Sequence, residues 1–138
     1  MGRILAIDYG LKRTGIAVTD PLKIIATALD TVDTPKMVKF LKEYLSKEEV
    51  ELIIIGMPSN WDESDTDATQ PVKRFIETLH KQFPSMPVKE VDERFSSKMA
   101  SRAMVDMGMK KKQRREKGMI DKVAATMMLQ DYLETKAG

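Results

Sequence analysis

A chain of 138 residues, 42% hydrophobic and 32% charged, has the size and balance of one soluble globular domain (residues 1–138), long enough for a real core and short for two lobes. With no cysteine and a single histidine it excludes disulfides and thiolate metal sites and argues against a histidine-rich zinc centre, so oxygen ligands are what remain for any metal. No apolar run approaches a bilayer span, and Gly2-Arg3 leads straight into a short strand-like run without a signal-peptide pattern; a cytoplasmic protein with no membrane contact is expected. The net charge of +2 does not announce a nucleic-acid binder. Its distribution says more, because Lys110, Lys111, Lys112, Arg114, Arg115 and Lys117 crowd into one stretch with Glu116 alone against them, while Asp62, Glu63, Asp65 and Asp67 occupy another.

In chain order, residues 3–9 read as a buried strand and 14–19 as its neighbour across a turn holding Gly10, Lys12 and Arg13. Asp20-Pro21 suits a turn before a third strand at 24–32. A helix follows, with Thr34 as its cap, Pro35 at its first position and Met37, Val38, Leu41, Tyr44 and Leu45 along one face. The β-branched run 51–56 suggests a strand covered on both faces, and therefore a central, partly parallel sheet. It ends at Gly56-Met57-Pro58. After a polar loop at 59–68, a second helix starts near Thr69 or Gln70, with Val72, Phe75, Ile76, Leu79 and Phe83 on its apolar side. Residues 88–91 form a short strand. Ser96 or Ser97 can cap a third helix carrying Met99, Ala103 and Met104 up to Gly108, and a last helix runs over about 115–133. The order β-β-β-α-β-α-β-α-α, without repeats or long linkers, describes an α/β domain with a mixed sheet flanked by helices. Such sheets bind ligands at the carboxyl ends of their strands.

Three acidic positions are poorly explained by stability alone: Asp8 at the end of Arg3-Ile4-Leu5-Ala6-Ile7, the pair Asp92-Glu93 after Val88-Lys89-Glu90-Val91, and Asp121 beside Val123-Ala124-Ala125. A carboxylate in apolar surroundings loses hydration and is costly unless paired or bound to a cation. If the fold joins them, hard oxygen ligands favour Mg²⁺ or Mn²⁺. Each has a structural alternative. Asp8 can accept backbone hydrogen bonds in a turn, Asp92 and Glu93 can be a surface pair or Asp92 can bond locally while Glu93 meets Arg94 or the following helix start, and Asp121 can pair with Lys117. Lys12 and Arg13, near Asp8 along the chain, are placed to meet a substrate strand, and the basic run can contact phosphates or simply be a solvated loop. Arg94 has a structural alternative as well. Trp61 can stack on a base or make an interface contact. His80 reads as a helix-surface residue, and Met119, Met127 and Met128 as core fillers.

The steps Ile7-Asp8-Tyr9-Gly10, Gly56-Met57-Pro58, Asp92-Glu93-Arg94-Phe95-Ser96-Ser97 and Ile120-Asp121-Lys122-Val123-Ala124-Ala125, in this order over nearly the whole chain, resemble the YqgF family, also called RuvX. It is a Holliday-junction-resolvase-like bacterial branch of the ribonuclease H-like fold. The resemblance implies a mixed five-stranded sheet and a cytoplasmic, metal-dependent nuclease, associated in the family with maturation of the 5′ end of precursor 16S ribosomal RNA and with resolvase-like activity. It implies Asp8, Glu93 and Asp121 as catalytic acids, with Asp92 joining them as metal ligands for Mg²⁺ or Mn²⁺. Lys12, Arg13, Arg94, Lys110, Lys111, Lys112, Arg114 and Arg115 are the candidate contacts to structured RNA or branched DNA, and the oligomeric state is open, with a homodimer among the options. One departure is visible: such sequences usually carry Asp-Gly-Thr or Asp-Gly-Ser in the loop after the fourth strand, where this chain reads Asp62-Glu63-Ser64.

Two other functions compete. A nucleic-acid or ribosome-assembly adaptor would bind salt-dependently without hydrolysis. Asp8-Tyr9-Gly10 with Lys12 and Arg13 also resembles the first phosphate loop of actin-like kinases, but those proteins close two lobes on the nucleotide, and 138 residues leave no room for the second.

Overall fold

The computed structural model describes residues 2–57, 69–92 and 119–137. Five strands, β1 (Arg3–Asp8), β2 (Arg13–Thr19), β3 (Ala26–Asp33), β4 (Val50–Met57) and β5 (Val88–Asp92), form one sheet in the order β3-β2-β1-β4-β5. β1, β2 and β3 pair antiparallel, while β1, β4 and β5 run parallel, so the sheet is mixed, as expected. The helices are α1 (Met37–Lys47), α2 (Thr69–Gln82) and α3 (Met119–Ala137). The expected helix around 96–108 and any turn of the last helix before 119 lie outside the described residues. The last helix continues to Ala137 rather than stopping near 133.

Alternation along the central strands sorts the core into two layers. Leu5 and Ile7 of β1, with Ile53 and Ile55 of β4, pack with Met37 and Leu41 of α1 and Val72, Phe75, Ile76 and Leu79 of α2. On the other face Ile4 and Ala6, with Ala17 and Ile54, pack with Ala125, Met128 and Leu129 of α3. The two-sided cover explains the continuous apolar run of β4: Ile53, Ile54 and Ile55 are all fully buried, each contributing about 1.5–3 kcal/mol. Small residues decide how the last helix sits. Ala6, Ala17 and Ala125 have no exposed surface, so the helix backbone rides close to the sheet. Met128 is core as expected, whereas Met127 is only partly buried and the side chain of Met119 lies outside the described set.

Two local expectations are corrected. The third strand starts at Ala26, not residue 24, because the Asp20 carboxylate accepts hydrogen bonds from the amides of both Ile24 and Ile25 at 2.8 Å and curls them into the turn. Lys23 adopts φ 60° there, its amide donating to the Asp20 carbonyl at 2.9 Å, and its ammonium pairs with Glu51. Ile24 and Ile25 are left 62% and 61% exposed. Thr34 does not cap α1: residues 34–36 form a 3₁₀ turn, and the Thr34 hydroxyl donates instead to the Gly10 carbonyl at 2.6 Å.

The amino-end rim of β1 is tied by polar contacts. The Ile4 amide donates to the Thr19 hydroxyl at 2.9 Å, the Arg3 guanidinium donates to the Thr19 carbonyl at 3.0 Å, and the Ala26 amide donates to the Gln130 side chain at 3.3 Å. The two amide donors hold the Asp20 carboxyl below its ordinary pKa of 3.8. A depressed folded value means that this contribution to stability is complete above 3.8 and is lost as pH falls through the lower folded value. Asp20→Ala should therefore lower the melting temperature at neutral pH, and the gap to the unmodified protein should close on acidification through that range; a gap independent of pH would contradict the assignment.

Candidate functional site

β1, β4 and β5 are parallel, so their carboxyl ends, Asp8, Met57 and Asp92, share one rim of the sheet. Asp8 ends the middle strand and is only 9% exposed. It lies on the strand parity of Ile4 and Ala6, the face covered by α3. Tyr9, on the opposite parity, packs against Phe75 of α2 with ring centroids 5.0 Å apart and planes tilted by 36°, which pins the chain just beyond the acid. Glycines flank Asp8 on both neighbouring strands. Gly15 is its antiparallel partner on β2, and on β4 Gly56 follows Ile55, the partner of Ile7. Neither contributes a side chain beside the carboxylate.

The other acids are placed by register. Val91 is level with Gly56, and Asp92 pairs with Met57 one step further, two strands from β1 and so about 10 Å across the sheet. Asp121 lies in the first turn of α3, three and four residues before the buried Ala124 and Ala125. Gln130 anchors this helix at Ala26, level with Thr19 and Ile4 on the amino rim. From there the burial of Ala125 and Ala124 carries the helix back over the sheet toward the carboxyl rim. Glu93 and the side chains of Asp92 and Asp121 lie outside the described set; among the described residues no group of three or more acidic or imidazole side chains that could hold a metal is found.

Lys12 is exposed in the turn that follows Asp8, beside an exposed Leu11, and Arg13 is exposed as the first residue of β2. Arg94, Lys110, Lys111, Lys112, Arg114, Arg115 and Trp61 lie outside the described residues. His80 is exposed on α2, as expected. Sequence reasoning missed Gly15 and Gly56 as neighbours of Asp8. The available signal was a glycine inside a β-branched strand, which marks close approach of another group.

A family model for RuvX, Holliday junction resolvase, matches residues 2–135. The chain belongs to the RuvX family. Relatives share about half its residues: a protein of Flavobacterium johnsoniae is 50% identical, covering 99% of both chains, and one of Christiangramia forsetii is 49% identical, covering 96% of this chain and 98% of that one. Both carry the provisional name pre-16S rRNA nuclease. Among solved structures, Thermus thermophilus RuvC in complex with a Holliday junction substrate superposes with a TM-score of 0.59 at 17% identity, covering 100% of this chain and 97% of that chain. A second Thermus thermophilus RuvC structure gives 0.53 at 13% identity, with 99% and 96% covered. These likenesses show the RuvC-like, ribonuclease H-like architecture. Family membership makes this RuvX protein a nuclease, an enzyme that hydrolyses phosphodiester bonds.

Gly10 ends the segment that Asp8 begins. A Cβ at this position would lie 2.2 Å from the carbonyl oxygen of Arg13, so the turn closes only on glycine. Gly10→Ala should cost about 1–3 kcal/mol, the usual penalty of forced overpacking, read from the shift in denaturant midpoint; an unchanged midpoint would show that the turn has room to relax.

Proposed function

We propose that residues 1–138 act as one cytoplasmic, divalent-metal-dependent nuclease domain that trims the 5′ end of 16S ribosomal RNA precursors. The observation that carries this reading is the enclosed carboxylate of Asp8 at the carboxyl end of the middle strand, with glycines beside it on both flanking strands. The substrate class comes from the names of relatives that match it over nearly their whole length.

The donor chemistry fits Mg²⁺ or Mn²⁺, since every candidate ligand is a carboxylate and the chain has no thiol. Asp8, Glu93 and Asp121 would hold the metal, with Asp92 beside them. A divalent ion held there would neutralise charge on the scissile phosphate and make a water more acidic. Lys12 and Arg13 lie next to Asp8 along the chain and would hold the substrate backbone by charge, joined by Arg94, Lys110, Lys111, Lys112, Arg114 and Arg115. Contacts of that kind set register more than sequence. No side chain is required as nucleophile. A second reading, cleavage of branched DNA, follows from the family description.

Both substrates belong in one experiment. Precursor 16S RNA with its 5′ leader and a four-way DNA junction are digested in parallel, with Mg²⁺, Mn²⁺ or chelator, and the products end-mapped. The expected result is metal-dependent cleavage within the leader, reduced by more than about a hundredfold in Asp8→Asn, beyond the loss typical of outer partners of a metal. Cleavage restricted to the junction would move the substrate to DNA. Activity untouched by chelator or by Asp8→Asn would refute the site, and salt-sensitive binding without cleavage would leave an adaptor.

A further inference from the structure

The turn between β1 and β2 is held by a device that neither Asp8 nor the cations supply. The Thr34 hydroxyl donates to the Gly10 carbonyl at 2.6 Å and lies 2.9 Å from the hydroxyl of Thr14, which is fully buried. Thr34 has one hydroxyl hydrogen and it is committed to Gly10, so between the two threonines Thr14 must be the donor. Thr14 in turn accepts from the Gly10 amide, in a long contact of 3.5 Å. The bonds close a ring: Gly10 amide to Thr14, Thr14 to Thr34, Thr34 back to the Gly10 carbonyl. A fourth bond, from the Thr34 amide to the Lys12 carbonyl at 3.0 Å, ties the far side of the turn to the same residue.

Gly10 is two residues past Asp8, and Lys12 and Arg13 complete the turn. Thr34 comes from a different part of the chain, the 3₁₀ turn that leads into α1. We infer that Thr34, acting through Thr14, is a positioning residue for hydrolysis: it clamps the turn that joins Asp8 to Lys12 and Arg13, holding the substrate-facing cations in a set relation to the acid. A turn of this length with two exposed cations would otherwise sample several geometries. The clamp selects one, and a displacement of about 1 Å at a reacting centre can cost a factor of about a hundred in rate. Binding itself draws on many phosphate contacts and depends little on one turn. Loosening the clamp should therefore be felt in kcat and hardly in KM.

The kinetic arm rests on the nuclease reading; the exchange arm does not. Thr34→Val keeps the side-chain shape and removes the hydroxyl, while Thr34→Ser keeps the hydroxyl. On the RNA precursor with Mg²⁺, Thr34→Val should lower kcat by about tenfold or more, a share of that positional penalty, with KM within about threefold, and Thr34→Ser should restore kcat to within about twofold. Hydrogen exchange at the residue-34 amide should be faster in Thr34→Val by about the same tenfold and close to the unmodified rate in Thr34→Ser, with the rest of the sheet unchanged. An active wild type whose Thr34→Val variant has unchanged kcat overturns the clamp alone. Equal losses in both variants, in proportion to loss of folded protein, also overturn it and leave a structural threonine. A wild type without cleavage overturns the nuclease reading and with it the kinetic role.

Discussion

Enclosing a carboxylate at the end of an apolar strand is the constraint around which this structure is organised. Asp8 follows four apolar residues that are all buried, and it lies on the strand face that the last helix covers. Removing a charge from water in such a place is offset only by a cation or by well-aimed hydrogen bonds. A protein under selection for stability alone has little use for it. In the proposed metal-dependent reading, Asp8 would hold a cation against a phosphate, and the same low-dielectric setting that makes the acid expensive would strengthen every interaction it makes.

The rest of the fold sets which chain segments share the rim with Asp8. Parallel pairing of β1, β4 and β5 forces their carboxyl ends onto one rim, so an acid at the end of the last strand shares an edge with Asp8 even though more than eighty residues separate them in sequence. The final helix approaches closely because Ala6, Ala17 and Ala125 meet where larger residues would hold it off. The two rims divide the work. Polar ties from Arg3, Thr19, Asp20 and Gln130 secure the amino ends. At the carboxyl ends, Gly15 and Gly56 lie beside Asp8 on the flanking strands, and the threonine ring ties the turn that leaves it.

Much of this was legible in the residues. The run 51–56 reads as a strand covered on both faces because its centre, Leu52 to Ile55, is continuously apolar, and the structure places it inside the sheet between β1 and β5. Asp8 stood out for a related reason, a charge where the pattern demanded an apolar residue. Other features were hidden because they depend on partners remote in sequence. Ile24 and Ile25 look like strand residues, yet a carboxylate four and five positions earlier takes their amides. Thr34 has the chemistry of a helix cap, and only the fold shows that the β1–β2 turn reaches it first. Gly15 and Gly56 read as ordinary strand glycines until the register sets both beside the same acid. The contact of the last helix with the start of β3 is likewise invisible in the sequence, since Gln130 and Ala26 lie more than a hundred residues apart.

The most direct test of the account is an anomalous difference map from crystals of the full chain soaked in Mn²⁺. It should show a peak within coordination distance of the Asp8 carboxylate, about 2.0–2.2 Å as for a small hard cation, with oxygen atoms of Asp121 and of the acids at the end of β5 completing the shell. A map with no peak beside Asp8, or with those carboxylates turned apart and paired to lysine or arginine, would contradict it.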